Sequence, residues 1–143
     1  AIELAIWFHD IIYQPTASDN EHKSAELAAQ ILAQLGLDQQ KIKKVEELIL
    51  LTIHPSLAKT KDEEFLLDID LSILGAGAKE YQVYEKAIRQ EYHHVPERLF
   101  CLGRGQLLQR LLEQERLFHS EYFYEKFETQ ARVNLAEAIK NLH

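Results

Sequence analysis

Apolar residues recur along this chain at three- and four-residue spacing and nowhere alternate long enough to suggest a strand, so the pattern predicts helices throughout. Residues 1–12 read as the end of a buried helix: Ile2, Leu4, Ala5, Ile6, Phe8, Ile11 and Ile12 leave little polar surface before Gln14-Pro15-Thr16 stops it. A loop over 15–20 leads to a second helix with Ala25, Leu27, Ala28, Ile31, Leu32 and Leu35 on one face; Asp19 or Asn20 caps its start and Gly36 closes it. Asp38 opens a third helix that buries Ile42, Val45, Leu48, Ile49 and Thr52 and ends at His54-Pro55. After a polar loop over 56–62, a fourth helix over 63–74 buries Phe65, Leu66, Ile69 and Ile73, and Gly75-Ala76-Gly77 breaks the chain. Long helical segments follow from Ala78 and over 97–115, separated by Val95-Pro96. Residues 117–124 are aromatic and ambiguous, and 125–142 form a final amphipathic helix carrying Phe127, Ala131, Leu135 and Ile139.

At 143 residues, 46% of them hydrophobic, the chain is long enough for one sizeable core and too short for two comfortable domains, so a single all-α helical bundle over 1–143 is expected. A formal charge of -7 argues against nucleic acid or an anionic membrane as partner. No apolar run approaches the roughly 20 residues of a membrane helix, and no signal peptide is recognisable. Cys101 is the only cysteine, which excludes an internal disulfide and zinc-finger spacing and fits a reducing, cytoplasmic setting. The chain contains no Met and begins on apolar sequence without a capping residue, so an upstream helix of the full protein is expected to be missing.

Chemistry centres on His9-Asp10. Imidazole and carboxylate are ordinary ligands of divalent metals, and at a helix end the two can offer donors to one ion; a capping or core hydrogen-bond pair is the plainer reading. Asp68 and Asp70, embedded among Leu66, Leu67, Ile69 and Leu71, add weight to the metal reading, since bare charges are rarely buried unless paired or metal-bound; one of them can instead face solvent. His54, at another helix end, is a further candidate ligand.

Several segments together resemble a bacterial branch of the HD-domain superfamily of metal-dependent phosphohydrolases. AIWFHDIIY at 5–13 is similar to the helix bearing its His-Asp doublet, DNEHKSA at 19–25 to the following helix start, and FLLDIDLSILG at 65–75 to the distal aspartate segment. Later similarities are IRQEY at 88–92, Gly103-Arg104 and ETQARVNL at 128–135, so the resemblance runs over nearly the whole chain. It implies an HD-like helical fold and a divalent metal held by an upstream His, the doublet and a distal Asp: here His9, Asp10 and one of Asp68 or Asp70, with Asp70, followed by Leu71, preferred. The upstream His has no counterpart, because only eight residues precede His9; either it lies outside this sequence or the site is crippled. Binuclear members add histidines for which His22 and His54 are the only candidates, and one metal is preferred over two.

A metal lowers the pKa of a bound water and polarises a phosphoryl oxygen at once, so the expected activity is hydrolysis of a small-molecule phosphomonoester or phosphodiester, nucleotides among the candidates. Glu21 is a candidate general base or water-orienting group, or simply a first-turn acid favoured by the helix dipole. Arg89, Arg104 and Arg132 are candidate phosphate clamps, although each reads first as a structural partner of Glu91 or Glu128; Arg104, between Gly103 and Gly105, is the best placed for phosphate. Asn20 and Ser24 either hold substrate or cap. The competing expectation is a non-catalytic helical ligand-binding or scaffold module that keeps the fold with an incomplete metal site. A homodimer is the base-rate expectation for assembly.

Overall fold

The computed structural model describes residues 1–142, the Ser56 side chain excepted. Among them every regular element is helical: α1 (Ile2–Phe8), α2 (Asn20–Gln34), α3 (Gln39–Leu51), α4 (Lys61–Leu71), α5 (Ala78–Glu91), α6 (Glu97–Leu112) and α7 (Glu121–Asn141), with 3-10 turns at Pro55–Leu57 and Ser72–Gly75. The chain forms two compact units, Ala1–Leu67 and the remainder from Asp68.

In the first unit α1, α2 and α3 pack on one another around Ala5, Ala28, Leu32, Val45, Leu48 and Ile49, all buried. α2 stops where expected because Gly36 takes φ 78°, a conformation that costs glycine little. Asp38 caps α3 as its position predicts, Oδ1 accepting from the N–H groups of Gln40 and Lys41 at 3.0 and 3.1 Å. The start of α4 is held reciprocally. Glu63 Oε2 accepts from the N–H groups of Lys59 and Thr60 at 2.7 and 3.1 Å, the Glu63 N–H donates to Thr60 Oγ1 at 3.3 Å, and Lys44 donates to Glu63 Oε1 at 3.0 Å. Thr60 and Glu63 have the three-residue spacing of a capping box, a signal that hydrophobic periodicity does not reveal.

α1 is shorter than its apolar run predicts, and the cause lies on α2. Both backbone groups of Ile12 bond the Ser24 hydroxyl, at 3.1 and 3.3 Å, and both of Gln14 bond the Asn20 amide, at 3.1 and 2.9 Å. Alternate residues of the segment are thereby engaged by side chains of α2, and a helix continuing past Phe8 would withdraw those groups. The expected burial is also only partial: of the apolar residues in 1–12 Ala5 alone is fully buried, and Ile11 is 45% exposed.

In the second unit α7 packs against α5, α6 and the turn Ser72–Gly75, around Leu74, Tyr81, Leu108, Phe118, Ala131 and Leu135. The helix expected over 63–74 ends at Leu71 and tightens into that turn, and Phe65, expected inside, is 40% exposed. Asn134 of α7 fixes the turn, its Nδ2 donating to the carbonyls of Leu74 and Ala76, both at 2.8 Å. Gly75 allows the approach, since a Cβ there would sit 2.5 Å from Phe127 Cβ.

Gly75→Ala is therefore expected to lose about 1–3 kcal/mol of stability in urea unfolding, the ordinary cost of an overpacked contact. A second expectation concerns pH. The amides of Lys59 and Thr60 and the Lys44 ammonium hold the Glu63 carboxyl down to about 2 from an ordinary 4.5. A depressed folded-state pKa contributes stability above the unfolded value that disappears as pH falls through the folded one. Glu63→Ala should cost about 0.5–1 kcal/mol at pH 7, the worth of a helix cap, and the difference from the parent should shrink below pH 4.5 and vanish near pH 2.

Candidate functional site

His9 follows the last residue of α1, and its N–H still bonds the Ala5 carbonyl at 2.8 Å, so its backbone is fixed by the helix end. The imidazole Nδ1 lies 2.9 Å from the Ile6 carbonyl oxygen. A carbonyl only accepts, so Nδ1 carries hydrogen and Nε2 is the other nitrogen. Nε2 faces Asp10 Oδ2 at 3.2 Å, with the His9 side chain 19% exposed and that of Asp10 65%. The Asp10 carboxyl titrates below its ordinary range: the His9 hydrogen bond lowers it, partial burial opposes this, and the charge of His9 adds to the lowering. An ionised carboxylate and an imidazole oriented through its other nitrogen thus converge on one spot. This is how metal-ligating histidines are held, and it equally describes an ion pair sharing a proton.

The other acids fare differently. Asp68, the embedded carboxylate, is completely inaccessible and engaged by the backbone entering α7. Its Oδ1 accepts from the His119 N–H at 2.7 Å, and its Oδ2 from the Ser120 N–H at 2.7 Å and the Ser120 hydroxyl at 2.5 Å. His119 Nδ1 lies a further 3.4 Å from Oδ1. An acid among aliphatic neighbours did require a partner, and the partner is a helix entrance. Asp70, two residues on and therefore about 200° around the helix, is exposed. His54 is exposed and its backbone opens the turn Pro55–Leu57. His22 is exposed on α2, and Glu21 is half-buried in the first turn of the same helix. Asn20 and Ser24, weighed as substrate holders, instead bind backbone, as described above.

The three candidate arginines are all engaged. Arg104 is not open to a phosphate: its side chain is 10% exposed, and its guanidinium forks onto Glu85, NH2 to Oε1 at 2.6 Å and Nε to Oε2 at 3.2 Å. Burial alone would lower the Arg104 pKa, but the hydrogen bond and charge of Glu85 outweigh it and raise the pKa. Tyr81 donates to the same Glu85 oxygen at 2.6 Å, and its phenol is pushed up by burial and by that bond. Arg89 pairs with Glu97 rather than Glu91 and also donates to the carbonyls of Tyr92 and Val95. Arg132 pairs with Glu128, one of the two expected partners, and donates to the carbonyls of Leu112, Gln114 and Glu115. Glu85 is the residue that sequence reasoning missed; its signal was the four-residue step from Tyr81 on one face of α5.

Among the described residues no group of three or more His, Cys, Asp and Glu side chains is disposed to hold a metal ion, and no helix is long and apolar enough to cross a membrane. Comparison of the chain with protein-family models, curated proteins and solved structures finds no match.

Asp68→Asn replaces one of the accepting oxygens by a donor facing an amide already on the protein side, and is expected to cost about 2–3 kcal/mol in chemical denaturation. The loss should be the same with and without a chelator. A variant that keeps its stability but loses bound metal would show Asp68 to be a ligand rather than a structural acceptor.

Proposed function

We propose that this chain carries the His-Asp part of a divalent-metal site that serves phosphoester hydrolysis in a small molecule, nucleotides included. The observation that supports it is the convergence of His9 Nε2 and Asp10 Oδ2 at 3.2 Å, with Nδ1 anchored on the Ile6 carbonyl. The donor chemistry fits: an imidazole anchored through Nδ1 on a carbonyl and a carboxylate kept ionised by its neighbour. Asp68 is engaged by backbone amides and no third His, Cys, Asp or Glu side chain among the described residues joins the pair, so the reading rests on the doublet, with Asp70 as third donor only as the family resemblance implies. A divalent ion in such a site supplies an activated water and a polarised phosphoryl oxygen. The chain's own part is orientation: Ile6 sets the imidazole tautomer, and the α1 end fixes the spacing of the two donors. Glu21, in the α2 turn beside the backbone-holding Asn20, is the candidate proton acceptor. A cytoplasmic setting belongs to the same reading and rests on the single Cys101.

A second reading, a non-catalytic helical ligand-binding or scaffold module, is favoured by one specific observation. Arg104, the best phosphate candidate by sequence, is held by Glu85 within the fold.

Elemental analysis of the purified full-length protein, together with a panel of phosphate esters, separates the two. Stoichiometric divalent metal with hydrolysis is expected, and Asp10→Ala should remove both, activity falling by at least about 100-fold, while the helical circular-dichroism signal is kept. Metal-free and inactive full-length protein would leave the scaffold reading standing.

A further inference from the structure

The second unit contains a cavity of about 660 Å³ walled by one stripe each of α5, α6 and α7. That volume is in the ordinary range for small-molecule sites. Its apolar wall is made by Phe100, Val133, Ala138 and Leu142. Most of its polar wall is already satisfied within the protein. Glu85 is taken by Tyr81 and Arg104, Arg89 by Glu97 and two carbonyls, and the Asn134 amide by the Leu74 and Ala76 carbonyls. Among the described residues, Lys86 on α5 and Glu137 on α7 are the charged side chains of the wall that make no ion pair and no side-chain hydrogen bond.

We infer that this cavity binds a small zwitterion with an aliphatic body, of the free amino acid or dipeptide kind, its carboxylate on Lys86 and its ammonium on Glu137. The reason is electrostatic. An anion that pairs with Lys86 is repelled by Glu137, and a cation that pairs with Glu137 is repelled by Lys86. A zwitterion compensates both, and its aliphatic part displaces water from the apolar wall. The site is independent of His9 and Asp10.

Titration calorimetry on the whole protein with the dipeptide Leu-Leu, its N-acetyl form and its C-terminal amide tests the assignment. Saturable, one-to-one binding of the free dipeptide is expected, with each blocked form about two- to fivefold weaker, the scale of one exposed ion pair. Lys86→Gln should abolish the preference for the free carboxylate while keeping that for the free amine, and Glu137→Gln should do the reverse. Both positions are exposed, so the fold is expected to survive either change. Val133→Trp should block all three ligands. No saturable binding, equal affinity for the three forms, or preferences that survive in Lys86→Gln and Glu137→Gln would each overturn the proposal.

Discussion

A connection that enters a helical core must give its backbone amides acceptors, and four successive amides at the entrance to α7 take theirs from two buried carboxylates. Glu128 accepts from Leu117 and Phe118, and Asp68 from His119 and Ser120. Arg132 completes the arrangement by neutralising Glu128 and donating to three carbonyls at the end of α6 and just beyond it. Hydrogen bonds to charged groups contribute about 1.5–3 kcal/mol each, and an amide left unpaired in a core costs a comparable amount. The position of α7 in the second unit, and with it the packing of Phe118 and Phe123 against Phe127, depends on this set of bonds.

That arrangement changes what a buried acid in a helical sequence implies. Burial without a partner is costly, so Asp68 had to have one, and metal and backbone amide are equally good answers to that demand. The sequence distance between Asp68 and Ser120 is what hides the second answer: the acid and the amides it serves are some fifty residues apart. Asp70, two residues on, is exposed and poses no such demand.

The helical elements were legible because each repeats apolar residues at helical spacing and most carry a local stop or start, such as Asp38 or Gly36. What the pattern misplaced has a nonlocal cause in each case. α1 stops early because Asn20 and Ser24 bind the backbone that follows it, and α4 stops early where Asn134 binds the carbonyls after it. Arg104 was misread for the same reason, since its partner Glu85 is on another helix, 19 residues away. The His9-Asp10 contact was legible because it needs only two neighbours on one helix end.

The two units hold their irregular segments by different chemistry, and the difference bears on function. Around 117–120 the acceptors are carboxylate oxygens, which take N–H groups and the Ser120 hydroxyl. After His9-Asp10 the holders are a hydroxyl and an amide, each serving both the N–H and the carbonyl of one residue, and neutral bonds of this kind contribute about 1 kcal/mol apiece. The segment beside the candidate metal donors is thus the less firmly held of the two. His9 itself does not share that looseness, because its imidazole is tied to Ile6 within its own helix. The result is an imidazole tied to its own helix, an exposed carboxylate next to it and, beyond them, a segment held by neutral bonds to α2.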